Sequence, residues 1–341
     1  MADYCLVQRS DGQFLRNEND AFAFVPYVDD LAIWQRREDL LINVRGQECG
    51  WFETNDELNL GSESILVSIL PGPGKLPSVH LAELRAMGFT VLENVLDADA
   101  LTRVRQATQA QISKMDQAPD PYDGRFGVPN SICWSTDVCH AVAHPVALWL
   151  MREYLGTPDI HFCHQPVMTV LRPTKELLGQ FPEEGWHSDY PYHPDVFPPE
   201  HWQDEMIYGV QYNICVDEFR ADNAATQFVP GSHARLSFPP REMNEGGTHM
   251  GQPPHHEVEQ MLAPEGAALI YDSRTWHRAC VELNESGQDR LAILNAVCPS
   301  WVRFMSDKSA GTKAYRVSDI ATRLTERSEE HTSELQSPDH L

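Results

Sequence analysis

The segment EEGWHSDYPYH places a histidine and an aspartate two residues apart, at His187 and Asp189. On an extended chain alternate side chains point the same way, so this spacing aims one imidazole and one carboxylate at a common point. A second imidazole from elsewhere would complete a two-histidine, one-carboxylate set. That set occupies one face of an octahedral Fe(II) and leaves positions for a bidentate 2-oxo acid and dioxygen. His277, at a strand end in ALIYDSRTWHRA, is the candidate for it. Arg290 then opens the strand-like run RLAILNAV and shares a face with Ala292, Leu294 and Ala296. A guanidinium beside a small alanine suits a pocket that grips the distal carboxylate of 2-oxoglutarate through two parallel hydrogen bonds.

A His-x-Asp triplet by itself is weak evidence, and a second one, His193-Pro194-Asp195, follows closely. Proline cannot donate to a strand ladder, so that triplet belongs in a turn; it remains the competitor for the metal. In IYGVQYNICV, alternation sets Gln211 and Asn213 on one face and Tyr212 and Ile214 on the other. Polar residues in an apolar strand suggest a lined cavity, and Gln211, Asn213 and Gln165 are candidates for holding the cosubstrate. The loop YPYHPDVFPPEHW is rich in aromatics and proline and could close over the metal, with Tyr190, Tyr192 and Trp202 as candidate substrate contacts. His255-His256 lies among prolines and acids and reads as solvated.

The elements that must position these residues are mostly short strands. PVMTVL, MIYGVQYNICV, TQFV, GAALIYD and RLAILNAV are separated by turn-rich loops, without the intervening helices a parallel α/β fold would need. That pattern predicts a mainly β fold with flanking helices, an antiparallel barrel or sandwich of the jelly-roll kind. Ahead of them, HLAELRAMG reads as a helix stopped by Gly88, FTVLENVL as a strand, and residues 98–115 as a helix capped by Asp97. Residues 1–70 read as a β-rich accessory region, either a small docking module or extra packing against the main domain, with a hairpin turn at Asp11-Gly12. PGPGKLP, residues 71–77, is the linker to a main domain over residues 78–305, followed by a C-terminal segment over 306–326. The stretch RSEEHTSELQS resembles the conceptual translation of a sequencing-adapter oligonucleotide. Residues 327–341 are therefore read as an artefact, and His331 and His340 take no part in the metal argument.

The 341 residues carry 50 acids against 26 Lys and Arg, a formal charge of -24. A surface that acidic repels phosphate backbones and anionic lipid heads, so a small-molecule substrate is expected rather than nucleic acid or a membrane. No signal peptide or apolar run of about 20 residues is visible, which points to the cytoplasm. The eight cysteines lack a C-x-x-C pair and read as buried free thiols. Oligomeric state stays open.

Four segments resemble the phytanoyl-CoA dioxygenase family of Fe(II)- and 2-oxoglutarate-dependent oxygenases. They are WHSDYPYH at 186–193, NAATQFVPGSH at 223–233, WHRA at 276–279 and RLAI at 290–293, with the family's usual helix–strand–helix opening at 79–115. The resemblance covers residues 78–305 and implies a double-stranded β-helix, the cupin-like jelly roll. By motif it makes His187, Asp189 and His277 the iron ligands and Arg290 the 2-oxoglutarate anchor, with Gly231-Ser232-His233 serving turn and packing. It further implies hydroxylation of an unactivated C–H bond, with O2 consumed and succinate and CO2 formed. Two departures stand out: Ala292 replaces the usual serine two residues after the arginine, and Asn223-Ala224 replaces Asn-Gly. Retention of Asp189 argues against the related halogenases, in which a small residue there makes room for halide. Two other classes stay in view: a non-catalytic jelly roll that binds metal or ligand, and a zinc hydrolase built on the same triad. Neither H-E-x-x-H, G-x-S-x-G nor a Cys/His nucleophile signature is present.

Overall fold

In the computed structural model the described residues are 4–323 apart from 20, 39, 47, 54–56, 61, 116–124, 174–184, 194–195, 241–242, 244–256, 280–283, 304–308 and 317. His255, His256, Asp195 and the tail from 327 lie outside them. Every ladder among the described residues is antiparallel.

The N-terminal sheet contains β1 (Tyr4–Arg9), β2 (Phe14–Glu18), β3 (Ala21–Val25), β4 (Trp34–Arg37), β5 (Leu40–Asn43), β6 (Glu48–Glu53), β7 (Glu57–Leu60) and β8 (Glu63–Pro71). β8 returns to pair with β1, closing a small barrel from which the β2–β3 hairpin extends. The turn at Asp11-Gly12 has Gly12 at φ 88°, where glycine escapes the Cβ penalty. Val7, Leu15, Trp34, Leu41 and Leu58 fill the barrel interior. Leu6, Phe14, Val28 and Ile33 instead join the main core of the chain. Pro71 is the last residue of β8 and Pro77 the first of α1 (Pro77–Met87). Between them Gly72 lies against the Tyr4 backbone, where an added Cβ would come within 2.7 Å of its carbonyl carbon.

α1 stops at Gly88, which sits at φ 74° and donates to Leu84 O. β9 (Phe89–Leu92) and α2 (Ala98–Ile112) follow, with Asp97 accepting from Ala100 N as the cap. Then come β10 (Arg125–Val128), α3 (Thr136–Val142) and α4 (Pro145–Leu155), the last two absent from the sequence-based expectation. The remaining strands are β11 (Ile160–Leu171), β12 (Val210–Cys215), β13 (Gln227–Phe228), β14 (Glu259–Gln260), β15 (Ala268–Asp272), β16 (His277–Arg278) and β17 (Arg290–Pro299). Two short helices, α5 (Ser309–Arg316) and α6 (Asp319–Arg323), end the described chain.

The major sheet runs β10-β11-β17-β12-β15-β9 and the minor sheet β14-β13-β16, extended by an isolated bridge from His187 to His277. From β11 on, the chain visits major, minor, major, minor, minor, major, minor and major sheets in turn. That path winds a double-stranded β-helix, the jelly roll expected. β12 is buried on both faces. Its Val210, Tyr212 and Ile214 join the helix-covered core with Val146, Leu150 and Ile293. Cys215, on the opposite face, packs with Leu269, Tyr271, Ala292 and Phe228 between the sheets. Cys5, Cys133, Cys139, Cys163, Cys215 and Cys298 are free thiols; burial pushes the Cys139 thiol up to about 12. Among the described residues no helix is long and apolar enough to cross a membrane.

Candidate metal centre and its cavity

The jelly-roll winding brings His187 and His277 side by side in the minor sheet. His187 N donates to His277 O at 3.0 Å and His277 N to His187 O at 3.1 Å. Extended backbone then sends Ser188 away, where its Oγ donates to Arg274 O, and turns Asp189 back towards the imidazoles. Asp189 N is itself held by Ser273 O at 2.7 Å. The ligand atoms of His187, Asp189 and His277 all lie within 4.8 Å of one another.

The ring orientations are set by backbone carbonyls. His187 Nδ1 contacts Gly185 O at 2.7 Å and His277 Nδ1 contacts Thr275 O at 2.9 Å. A carbonyl oxygen only accepts, so each Nδ1 carries a proton; without a cation a protonated ring faces Asp189 through its Nε2–H, and a bound cation would take the Nε2 lone pair of the neutral ring. Both Nε2 atoms face Asp189, at 3.1 Å from His277 and 3.8 Å from His187. Burial would raise the Asp189 carboxyl, but His277 first, then His187 and His164, outweigh it and leave the group below its ordinary value. Two neutral imidazoles and one carboxylate, converging from one side, are the donor set that suits non-haem Fe(II).

The cluster opens into a cavity of about 570 Å³ between the two sheets. Its floor is the inner face of the major sheet, and the ladders give its layout. At the metal end His164, Ala296, Gln211 and Tyr271 form one row across β11, β17, β12 and β15. Further along lie Val167 with Leu294, then Gly127, Thr169 and Ala292. Arg125, Leu171 and Arg290 make the far row. Arg290 is 7% exposed. Its Nη1 donates to Ala224 O at 2.5 Å and its guanidinium stacks 3.9 Å from the Phe219 ring centre. Gln211 Nε2 donates to Ser273 Oγ, and Asn213 Nδ2 donates to the Tyr271 hydroxyl while its Oδ1 accepts from Asn295 N. The structure therefore brings His187, Asp189, His277, Arg290, Gln211 and Asn213 to one cavity.

Four other candidates are placed elsewhere. The Gln165 amide is buried with neither end hydrogen-bonded, away from the cavity wall. β11 bulges on both sides of His164, and the register shift turns His164 inward in place of Gln165. Tyr190 donates to Arg303 O. Tyr192 is wholly buried, donating to Met206 O and accepting from Tyr208 N. Trp202 packs edge-on against it at 5.0 Å and donates to Phe197 O. Tyr190, Tyr192 and Trp202 thus pack beside the cavity, with their polar tips on backbone carbonyls. His193, of the competing triplet, is exposed.

Sequence reasoning also missed Tyr271, whose ring meets His277 at 5.0 Å. Burial, with the Asp189 carboxylate nearby, drives its phenol well above its ordinary value and keeps it protonated. Alternation in ALIYD could have found it, since Tyr271 shares a face with Leu269. The signal for His164 was Pro166, which cannot continue a ladder. A third omission is the buried pair of Asp272 and Arg274, 0% and 3% exposed at the side chains, with Arg274 Nη2 at 2.7 Å from Asp272 Oδ2. Tyr154 donates to the same carboxylate, and Arg274 Nη1 reaches the carbonyls of Gln203 and Asp204.

The model of the family described as Phytanoyl-CoA dioxygenase (PhyH) matches residues 84–292. Two curated relatives, the uncharacterized proteins Rv1501 of Mycobacterium tuberculosis and Mb1539 of Mycobacterium bovis, are each 33% identical over 106 residues. Those residues are 29% of this chain, and the chain spans only about a third (34%) of either relative. Among solved structures, the non-heme alpha-ketoglutarate-dependent epimerase SnoN from nogalamycin biosynthesis aligns with a TM-score of 0.46 and 16% identity. It covers 66% of this chain and 83% of its own.

Proposed function

The chain belongs to the phytanoyl-CoA dioxygenase family, and from that premise we propose that it is an Fe(II)- and 2-oxoglutarate-dependent hydroxylase of a small-molecule metabolite. One observation carries the reading: two outward Nε2 atoms and a carboxylate converge at one end of a cavity whose other end holds a buried arginine. His187, Asp189 and His277 would hold the metal, which when bound supplies the redox chemistry coupling decarboxylation of 2-oxoglutarate to succinate with C–H hydroxylation. Arg290 receives the distal carboxylate, its fork steadied by Ala224 and Phe219. Ser273 O and the paired backbone of residues 187 and 277 fix the main chain at the ligands, and the Gly185 and Thr275 carbonyls orient the two rings. A zinc hydrolase would have no use for Arg290, and a passive jelly roll none for both ends of the cavity.

The test is to add Fe(II) and then 2-oxoglutarate to the anaerobic apoprotein and record the visible metal-to-ligand charge-transfer band. The band appears in the wild type and in His193→Ala, and vanishes in His187→Ala and Asp189→Ala. Admitting air to the wild type then releases succinate. Absence of both band and succinate from well-folded protein refutes the proposal.

A further inference from the structure

The metal-end row of the cavity floor has a job that iron and 2-oxoglutarate do not explain. Ala292 and Leu294 separate Arg290 from the row of His164, Gln211 and Tyr271, so a cosubstrate anchored at Arg290 would lie over the first two and leave that row for the substrate. These three polar side chains span three strand spacings, about 14 Å, beside the metal cluster. Two have their hydrogen bonds arranged internally: Gln211 Nε2 is given to Ser273 Oγ, and the Tyr271 hydroxyl accepts from Asn213. His164 differs. Its Nδ1 lies 2.9 Å from Gln165 O, which only accepts, so Nδ1 carries a proton, and in the neutral ring Nε2 offers a lone pair to the cavity. The ring lines the cavity, yet it stands outside the group whose ligand atoms crowd within 4.8 Å. The double irregularity in β11 exists at this residue and turns it inward.

We infer that His164 recognises the substrate, accepting through Nε2 a hydrogen bond from a hydroxyl or protonated amine placed near the carbon to be oxidised. The substrate class is then a small polar metabolite and not a bare acyl chain, whose methylenes would leave His164 Nε2 desolvated with nothing to bond. This rests on the oxygenase reading above.

The experiment uses the Fe(II)-loaded full chain with 2-oxoglutarate and air, following succinate release. The probes are L-proline, L-lysine, ethanolamine and glycerol on one side, hexanoate and octanoate on the other. The result expected is stimulation of the wild type by donor-bearing probes. The half-saturating concentration of the best one rises at least tenfold in His164→Phe and recovers in part in His164→Gln, which restores an acceptor. The charge-transfer band stays in all three proteins. Stimulation by hexanoate or octanoate alone, stimulation by none, or an unchanged half-saturation in His164→Phe overturns the inference. So does loss of the band in both variants, which makes His164 part of the metal centre. If the wild type itself lacks band and succinate, the oxygenase reading fails first, and the two failures are told apart.

Discussion

Replacing Arg290 by methionine keeps most of the side-chain volume beside Phe219 and removes the fork of N–H donors. The Ala224 carbonyl loses one hydrogen bond, a stability cost of about 1 kcal/mol, which a domain of ordinary stability survives. The effect on the cosubstrate is larger. A two-pronged, charge-assisted grip on a carboxylate in a site where the arginine is 7% exposed is worth about 2–3 kcal/mol. Every 1.4 kcal/mol is tenfold, so the dissociation constant for 2-oxoglutarate should rise roughly 30- to 150-fold. The assay is an anaerobic titration of the Fe(II) protein, read by the charge-transfer band. It runs in parallel with 2-oxopentanoate, which keeps the chelating 2-oxo acid and lacks the distal carboxylate. The wild type should prefer 2-oxoglutarate by that factor, and Arg290→Met should bind both alike, near the wild-type affinity for 2-oxopentanoate. Arg290→Lys should recover part of the preference, since an ammonium offers charge without the fork. An Arg290→Met protein that is folded and still prefers 2-oxoglutarate by the wild-type factor would refute the assignment.

Asp272→Ala strands the Arg274 guanidinium in the core and should cost about 3–5 kcal/mol, read as a lower denaturant midpoint. His80 is 1% exposed and donates from Nδ1 to Thr90 Oγ1 at 2.9 Å; burial lowers its pKa from 6.5 to about 4. Because the folded value is the lower one, His80 favours the folded state above pH 6.5. That advantage drains away as pH falls towards 4, by roughly 3 kcal/mol in all. His80→Asn should flatten that acid limb of the stability curve, measured by urea unfolding from pH 7 to 4. Gly88→Ala puts a Cβ at φ 74°, within 2.5 Å of His233 Nδ1 and 2.6 Å of Thr275 Oγ1. Left-handed strain and overpacking together should cost about 2–5 kcal/mol, visible as a lowered thermal midpoint.

Much of the site could be read along the chain because its parts obey local periodicity. The two-residue step from His187 to Asp189 works on any extended backbone. Alternation along RLAILNAV sets Arg290 and Ala292 on one face whatever the partners, and the same rule separates Gln211 and Asn213 from Tyr212. Gly88 and Asp97 end and begin their helices through hydrogen bonds within a few residues. What alternation could not foresee was where it breaks. The bulges around His164 depend on how β11 pairs with β17, so the exchange of Gln165 for His164 is a property of the ladder. Tyr192 and Trp202 look like binding aromatics in sequence. Only the packed structure shows their hydroxyl and indole groups spent on Met206 and Phe197 carbonyls. α3 and α4 escaped notice because their apolar faces follow from the sheet they cover. The closure of β8 onto β1 was hidden too, since strand pairing is a long-range choice. Residue types and short spacings thus determined which chemistry was available. Tertiary structure decided which side chains share the cavity, because register and burial are set by contacts between segments far apart in the chain.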